Sequence, residues 1–133
     1  MGIVLKEIST ISPDSIKLTE KFLEETKKMI KFIVAYENKN PVACGALKHY
    51  DSETVEIKRM FVIKSFRRRG ISKLILSELE KQSKYSGFKK IILETGIMQP
   101  AAISLYQKNN YRQINCYDGY ANNSDSICFE KSL

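Results

Sequence analysis

Apolar residues recur along the chain with two different periods, and the changes of period mark out the elements. Residues 6–10 read as a short strand. Ser12-Pro13-Asp14 then offers a helix start, and Ile16, Phe22, Leu23, Met29 and Ile30 follow at roughly helical spacing, enough for one long helix or two short ones. Residues 31–37 and 41–50 read as two strands, with Asn38-Lys39-Asn40 as the tight turn of an antiparallel pair. Asp51-Ser52-Glu53 turns the chain again.

The strand predicted over residues 54–63 changes character midway. Val55 and Ile57 alternate with Glu56 and Lys58, whereas Met60, Phe61, Val62 and Ile63 are continuously apolar, so the alternation slips near Arg59. Two readings fit such a slip: a β-bulge that redirects side chains and leaves backbone groups unpaired, or a central strand covered on both faces. Beyond it, Ile71, Leu74, Ile75, Leu79 and Tyr85 predict a helix over 72–85, stopped by Gly87. A strand over 90–95, a loop over 96–99 and a helix opened by Pro100 follow, the last carried by Ala102, Ile103, Leu105 and Tyr106 to Asn109-Asn110. Residues 111–117 and 126–131 read as two last strands. Antiparallel strands followed by strand, helix, strand, helix predict an α/β or α+β layered domain around one mixed sheet.

Composition adds few restrictions. A chain of 133 residues with 43% hydrophobic and 28% charged positions suits one globular domain, residues 1–133, with a real core. The N-terminal apolar run is too short for a signal peptide, and no stretch approaches the ~20 apolar residues of a membrane span. Cytoplasmic residence is the expectation. Cys44, Cys116 and Cys128 are odd in number and lack CxxC spacing, so reduced thiols are expected in place of a disulfide framework or a metal site. The single histidine, His49, reads as an ordinary strand residue. A formal charge of +7 calls for an anionic partner without choosing between nucleic acid, a phosphorylated cofactor and an acidic substrate.

The compact part of that charge is Arg67-Arg68-Arg69, which precedes Gly70 and a helix start. Such a turn suits phosphate, because the first amides of a helix lack internal partners and carry the positive end of the helix dipole. Gly70 admits close backbone approach, and Ser72 is placed to cap the helix or touch a phosphate. The arginines supply permanent charge.

Arg67-Arg68-Arg69-Gly70-Ile71-Ser72 resembles the Gln/Arg-x-x-Gly-x-Gly/Ala signature of the GNAT N-acetyltransferase superfamily, with Ser72 departing from the last position. The surrounding sequence resembles the same family in the same order: Glu56-Ile57-Lys58-Arg59-Met60-Phe61-Val62, Leu93-Glu94-Thr95-Gly96, Ala102-Ile103-Ser104-Leu105-Tyr106 and Tyr111. Asn110 stands where many members have glycine. The resemblance implies a mostly antiparallel sheet splayed in its middle, with helices on both faces. It implies acetyl-CoA as acyl donor, without a metal, and a primary amine as acceptor. Pyrophosphate would lie on residues 67–72, with pantetheine along the backbone of Met60, Phe61 and Val62 and a contact from Gln99. Glu56 would be the base, Tyr106 would protonate the departing thiolate, and Glu94 would meet the amine or replace Glu56.

Tyr117, Asp118 and Tyr120 fall in a polar loop that suits either an acceptor pocket or, for its aromatics, simple packing anchors. A homodimer is left open. Competing readings are an acyl-CoA-binding module without catalysis and, more weakly, a basic nucleic-acid binder.

Overall fold

The computed structural model describes residues 2–8 and 29–133. Their strands form one seven-stranded sheet of order β1-β2-β3-β4-β5-β7-β6, comprising β1 (Val4–Glu7), β2 (Lys31–Glu37), β3 (Asn40–His49), β4 (Thr54–Val62), β5 (Lys90–Gly96), β6 (Arg112–Ile114) and β7 (Ser126–Ser132). Two helices, α1 (Ile71–Tyr85) and α2 (Pro100–Lys108), complete it among the described residues. The first strand begins and ends earlier than predicted. The predicted first helical stretch falls on undescribed residues except for Met29 and Ile30; Met29 is buried, and the Ile30 amide donates to the Leu47 carbonyl at 2.8 Å.

Each β2–β3–β4 connection is short, so neighbours in sequence pair antiparallel. Asn38 and Lys39 both take positive φ, 51° and 66°, the pairing of conformations that matches a two-residue turn to strand twist. Between β4 and β5 the chain crosses over through α1, and the two strands therefore run parallel. They pair at Thr54–Lys90, Val55–Ile91 and Glu56–Ile92, and the pairing stops there. The sheet splays beyond Glu56, as the family resemblance implied.

Both readings of β4 hold, each in a different half. Thr54, Val55, Glu56 and Ile57 are all buried, so the first half is covered on both faces. In the second half, the pairs Cys44–Phe61 and Ala46–Lys58 enclose Gly45 on β3 but both Arg59 and Met60 on β4, which is a bulge. Arg59 sits at φ 58°. Its carbonyl, turned out of the ladder, accepts a hydrogen bond from the Cys44 thiol at 3.2 Å. Burial pushes that thiol up to about 12, with the nearby Arg59 charge acting the other way, so Cys44 is a protonated donor.

One face of the sheet carries the main core. Ile33, Leu47, Val55, Ile57, Ile91, Leu93 and Phe129 meet Ile71, Ile75 and Leu79 of α1 and Tyr106 of α2. Leu74 and Tyr85, counted in the predicted stripe, are instead exposed, since a stripe for a single sheet contact needs only one narrow face of α1. Gly45 sets how closely α1 lies on β3: a Cβ there would be 2.6 Å from Ile75 Cγ2, 2.7 Å from Met60 Sδ and 3.0 Å from Leu79 Cδ1. The opposite face is apolar over β2 and β3, with Phe32, Val34, Cys44 and Ala46 buried, and mostly polar over β4, β5 and β7, where Ile92 and Cys128 are the buried apolar exceptions.

Candidate active site

The backbone builds the first half of the site. After β4 a tight turn at Lys64–Phe66 leads to Arg68 at φ 65° and Gly70 at φ 78°, and Gly70 caps α1. The first helical bond runs from the Leu74 amide to the Gly70 carbonyl at 3.3 Å, so the amides of Ile71, Ser72 and Lys73 precede it. Apart from its chain neighbours nothing lies within 4 Å of the place where a Gly70 Cβ would be, so the backbone there can be approached closely. Ser72 is the second helical residue and does not cap; the left-handed glycine does that through its backbone instead. All three arginines are exposed. Arg67 donates Nε to the Val62 carbonyl at 3.0 Å, and Arg69 lies 3.7 Å from Glu37 and over the Phe66 ring. The donor set fits a diphosphate.

Above this loop the β4 edge faces the opening. Ile63 donates its amide to the Val42 carbonyl at 2.8 Å, so by strand alternation Val62 turns its own amide and carbonyl away from β3. Met60 and Val62 are partly buried there and the Phe61 side chain is exposed. Gln99 precedes α2, its amide donating to the Gly96 carbonyl and its carbonyl accepting from Ile103, both at 3.0 Å; its side chain is exposed.

Side chains from distant parts of the chain build the second half, on the sheet face away from α1 and α2. Glu56 is 4% exposed, and its Oε2 accepts the Tyr117 hydroxyl at 2.7 Å and lies 3.5 Å from Lys58 Nζ. Lys58 in turn donates to the Tyr120 hydroxyl at 2.6 Å. Tyr117 packs edge-on against Tyr50 and Tyr120, with ring centroids at 5.5 and 5.8 Å. Burial, then the Glu56 hydrogen bond and charge, push the Tyr117 phenol far above its ordinary value, so it stays protonated and donates. Glu94, partly buried at the end of β5, accepts the Ser126 hydroxyl at 2.6 Å. Lys58, Tyr50 and Ser126 join this cluster without being marked out by the sequence pattern. The available signal was Glu56 and Lys58 themselves, two charged positions on the same face of a central strand.

Tyr106 lies in the core cluster on the other face of the sheet. It is 4% exposed and packs against Tyr111 and Phe129 with centroids at 5.5 and 6.0 Å. Burial pushes its phenol up to about 12. That is a weaker acid than the ordinary phenol of pKa ~10 expected from sequence. A donor of that strength stabilises a thiolate chiefly by hydrogen bonding, and the same dry surroundings raise a thiol as well.

The expectation of reduced thiols holds for Cys44 and is corrected for Cys116 and Cys128, which form a disulfide with Cα atoms 5.1 Å apart. Their separation of 12 residues carries no motif. The pair becomes visible only when Ile114, two residues before Cys116, is seen in register with Cys128 across β6 and β7. Among the described residues there is no cluster suited to a metal ion, and no helix long and apolar enough to cross a membrane.

A splayed mixed sheet with a basic, glycine-capped helix end at the mouth of the splay is the architecture of an acyl-CoA-handling transferase. The chain belongs to the acetyltransferase (GNAT) family, whose sequence model matches residues 5–111. It is 33% identical over 109 residues to an IAA acetyltransferase of Azospirillum brasilense, covering 80% of this chain and 71% of that one. An uncharacterised N-acetyltransferase of Bacillus subtilis is 31% identical over 107 residues, covering 78% and 70%. Among solved structures, an acyl-CoA N-acyltransferase fold from Klebsiella pneumoniae superposes with a TM-score of 0.86 at 24% identity, covering 98% of this chain and 97% of that one. A GNAT acetyltransferase from Elizabethkingia anophelis with acetyl-CoA bound gives 0.84 at 22% identity, covering 98% of each.

Proposed function

We propose that the protein, acting as one domain over residues 1–133, transfers an acetyl group from acetyl-CoA to a primary amine of a small molecule or peptide by direct attack in a ternary complex. The observation that carries this reading is the opening between β4 and β5, with Glu56 on one face of the sheet and Tyr106 on the other. Acetyl-CoA bound to the Elizabethkingia neighbour, and coenzyme A bound to a Thermoplasma acidophilum acetyltransferase of the same fold, support the donor.

In this reading the amides of Ile71, Ser72 and Lys73 and the arginines hold the pyrophosphate, and pantetheine lies along Met60, Phe61 and Val62 with Gln99 beside it. A pantetheine amide taking the Val62 carbonyl would displace Arg67 Nε and free that guanidinium for phosphate. The amine approaches from the Glu56 face. An alkylammonium has no free lone pair, so it first gives a proton, through water, to the Glu56 carboxylate. Glu94 meets the amine from β5. Attack on the thioester carbonyl places negative charge on its oxygen, where a β4 amide stabilises it. As the tetrahedral intermediate collapses the C–S bond breaks, Tyr106 holds the departing thiolate by a hydrogen bond, and the second proton of the attacking nitrogen, shed as the amide forms, passes to the sulfur.

The test is release of CoA thiol across a panel of amines, amino acids, polyamines and peptides, with acetyl-CoA binding measured in parallel. Amine-dependent release is expected, and Tyr106→Phe should lower kcat by about 10² with binding retained. Tight acetyl-CoA binding with background release over the whole panel would leave a binding module. Strongly salt-dependent nucleic-acid binding indifferent to CoA would favour the polyanion reading.

A further inference from the structure

The mechanism leaves unused the loop between β6 and β7 and the disulfide at its start. In the sheet, β6 is separated from β4 by β7 and β5. At a strand spacing of ~4.8 Å that is about 14 Å. Yet Tyr117, which follows soon after β6, places its hydroxyl 2.7 Å from Glu56 on β4, and Tyr120 accepts Lys58 at 2.6 Å. The loop therefore folds back across the face of β7 and β5. Just before the crossing, Cys116 is bonded to Cys128, which is fully buried on β7 and in register with Glu94. At the far end the Asp125 carbonyl accepts the Ile97 amide at 2.9 Å. The span is thus fastened at both ends, covalently at the end that carries Tyr117.

The geometry points to Tyr117 as a positioning residue for Glu56, held over β4 by the Cys116–Cys128 bond, so that the amine-accepting half of the site, but not the cofactor half, depends on the thiol state of that pair. This rests on Glu56 being the base of the proposed reaction. Tyr117 and Lys58 both take Oε2, which fixes the plane of the carboxylate. The phosphate loop has separate supports in Val62, Glu37 and Phe66. Opening the pair takes two electrons and two protons from a dithiol: the Sγ–Sγ bond breaks, Cys116 and Cys128 become thiols, and the dithiol becomes a disulfide. Reversible pairs of this kind are the usual form in reducing compartments.

The experiment compares wild type and Tyr117→Phe, each oxidised and dithiol-treated, for acetyl-CoA Kd and for kcat and KM toward an accepted amine. Tyr117→Phe should lower kcat/KM for the amine about tenfold, the scale of one lost hydrogen bond to a charged group, with acetyl-CoA Kd unchanged. Dithiol should lower wild type by a similar factor and Tyr117→Phe by much less, since both remove the same contact. The Cys116→Ser/Cys128→Ser double variant should match reduced wild type in either condition.

Effects of dithiol and Tyr117→Phe that simply multiply would overturn the inference, as would Tyr117→Phe with wild-type kinetics or an acetyl-CoA Kd that moves with reduction. Oxidised wild type that binds acetyl-CoA but acetylates no amine would instead sink the proposed reaction, and the inference with it.

Discussion

In the proposed function the two halves of the site are made differently. The cofactor half is chiefly a short run of chain from Met60 to Lys73 in which backbone amides, left-handed residues and a helix end would do the work. The acceptor half is assembled from side chains 61 and 62 positions apart, Tyr117 on Glu56 and Tyr120 on Lys58. A backbone site follows from the fold and tolerates change in its side chains, as Ser72 illustrates by occupying the departing position of the signature without acting as a cap. A side-chain site depends on one loop holding its place, so loop variation can alter the acceptor while the donor site persists.

If the halves are separable, damage to one should leave the other measurable. The largest effect is expected from Glu56→Gln, which keeps the shape and removes the proton acceptor: turnover should fall by about 10²–10³ while acetyl-CoA Kd stays within about twofold. Loss of acetyl-CoA binding in that variant would break the comparison. Next is Gly45→Ala, whose Cβ would press on Ile75, Met60 and Leu79 at 2.6, 2.7 and 3.0 Å. Overpacking of this kind costs about 2 kcal/mol, read as a lower denaturation midpoint in urea. Because the pressure falls between α1 and the bulge, acetyl-CoA affinity should suffer before amine KM does. The smallest is Gly70→Val, which puts a β-branched residue at φ 78°. A strain of about 1–2 kcal/mol should appear as roughly tenfold weaker acetyl-CoA binding at unchanged amine KM.

The same division governs what the sequence discloses. Apolar runs bounded by turn residues locate β2 to β5, the slip at Arg59 locates the bulge, and consecutive residues spell out the basic turn before α1. Gly70, Pro100 and Asn110 mark helix boundaries by conformational preference, and Asn110 does adopt φ 71°. The acceptor half leaves no such local trace. Tyr117 and Tyr120 are legible as loop aromatics, but only the return of the loop across β7 and β5 tells which carboxylate and which amine they reach. Cys116 and Cys128 are hidden for the same reason, since their proximity belongs to the pairing of β6 with β7 and not to their spacing. Tyr106 is legible in place but not in acidity, because burial is set by Tyr111 and Phe129 from other elements.

The three rungs that join β4 to β5 have a meaning beyond the room they leave beside them. Strands β2 to β4 form one meander with short connections, and β5, β7 and β6 form a second antiparallel group. Contacts within the first close small loops, whereas the Thr54–Glu56 seam joins residues on either side of the whole of α1. Loop closure of that length is slow and yields few hydrogen bonds in return. Assembly of the chain should therefore proceed as two sub-sheets that meet late, with α1 as the shared wall that brings them to register.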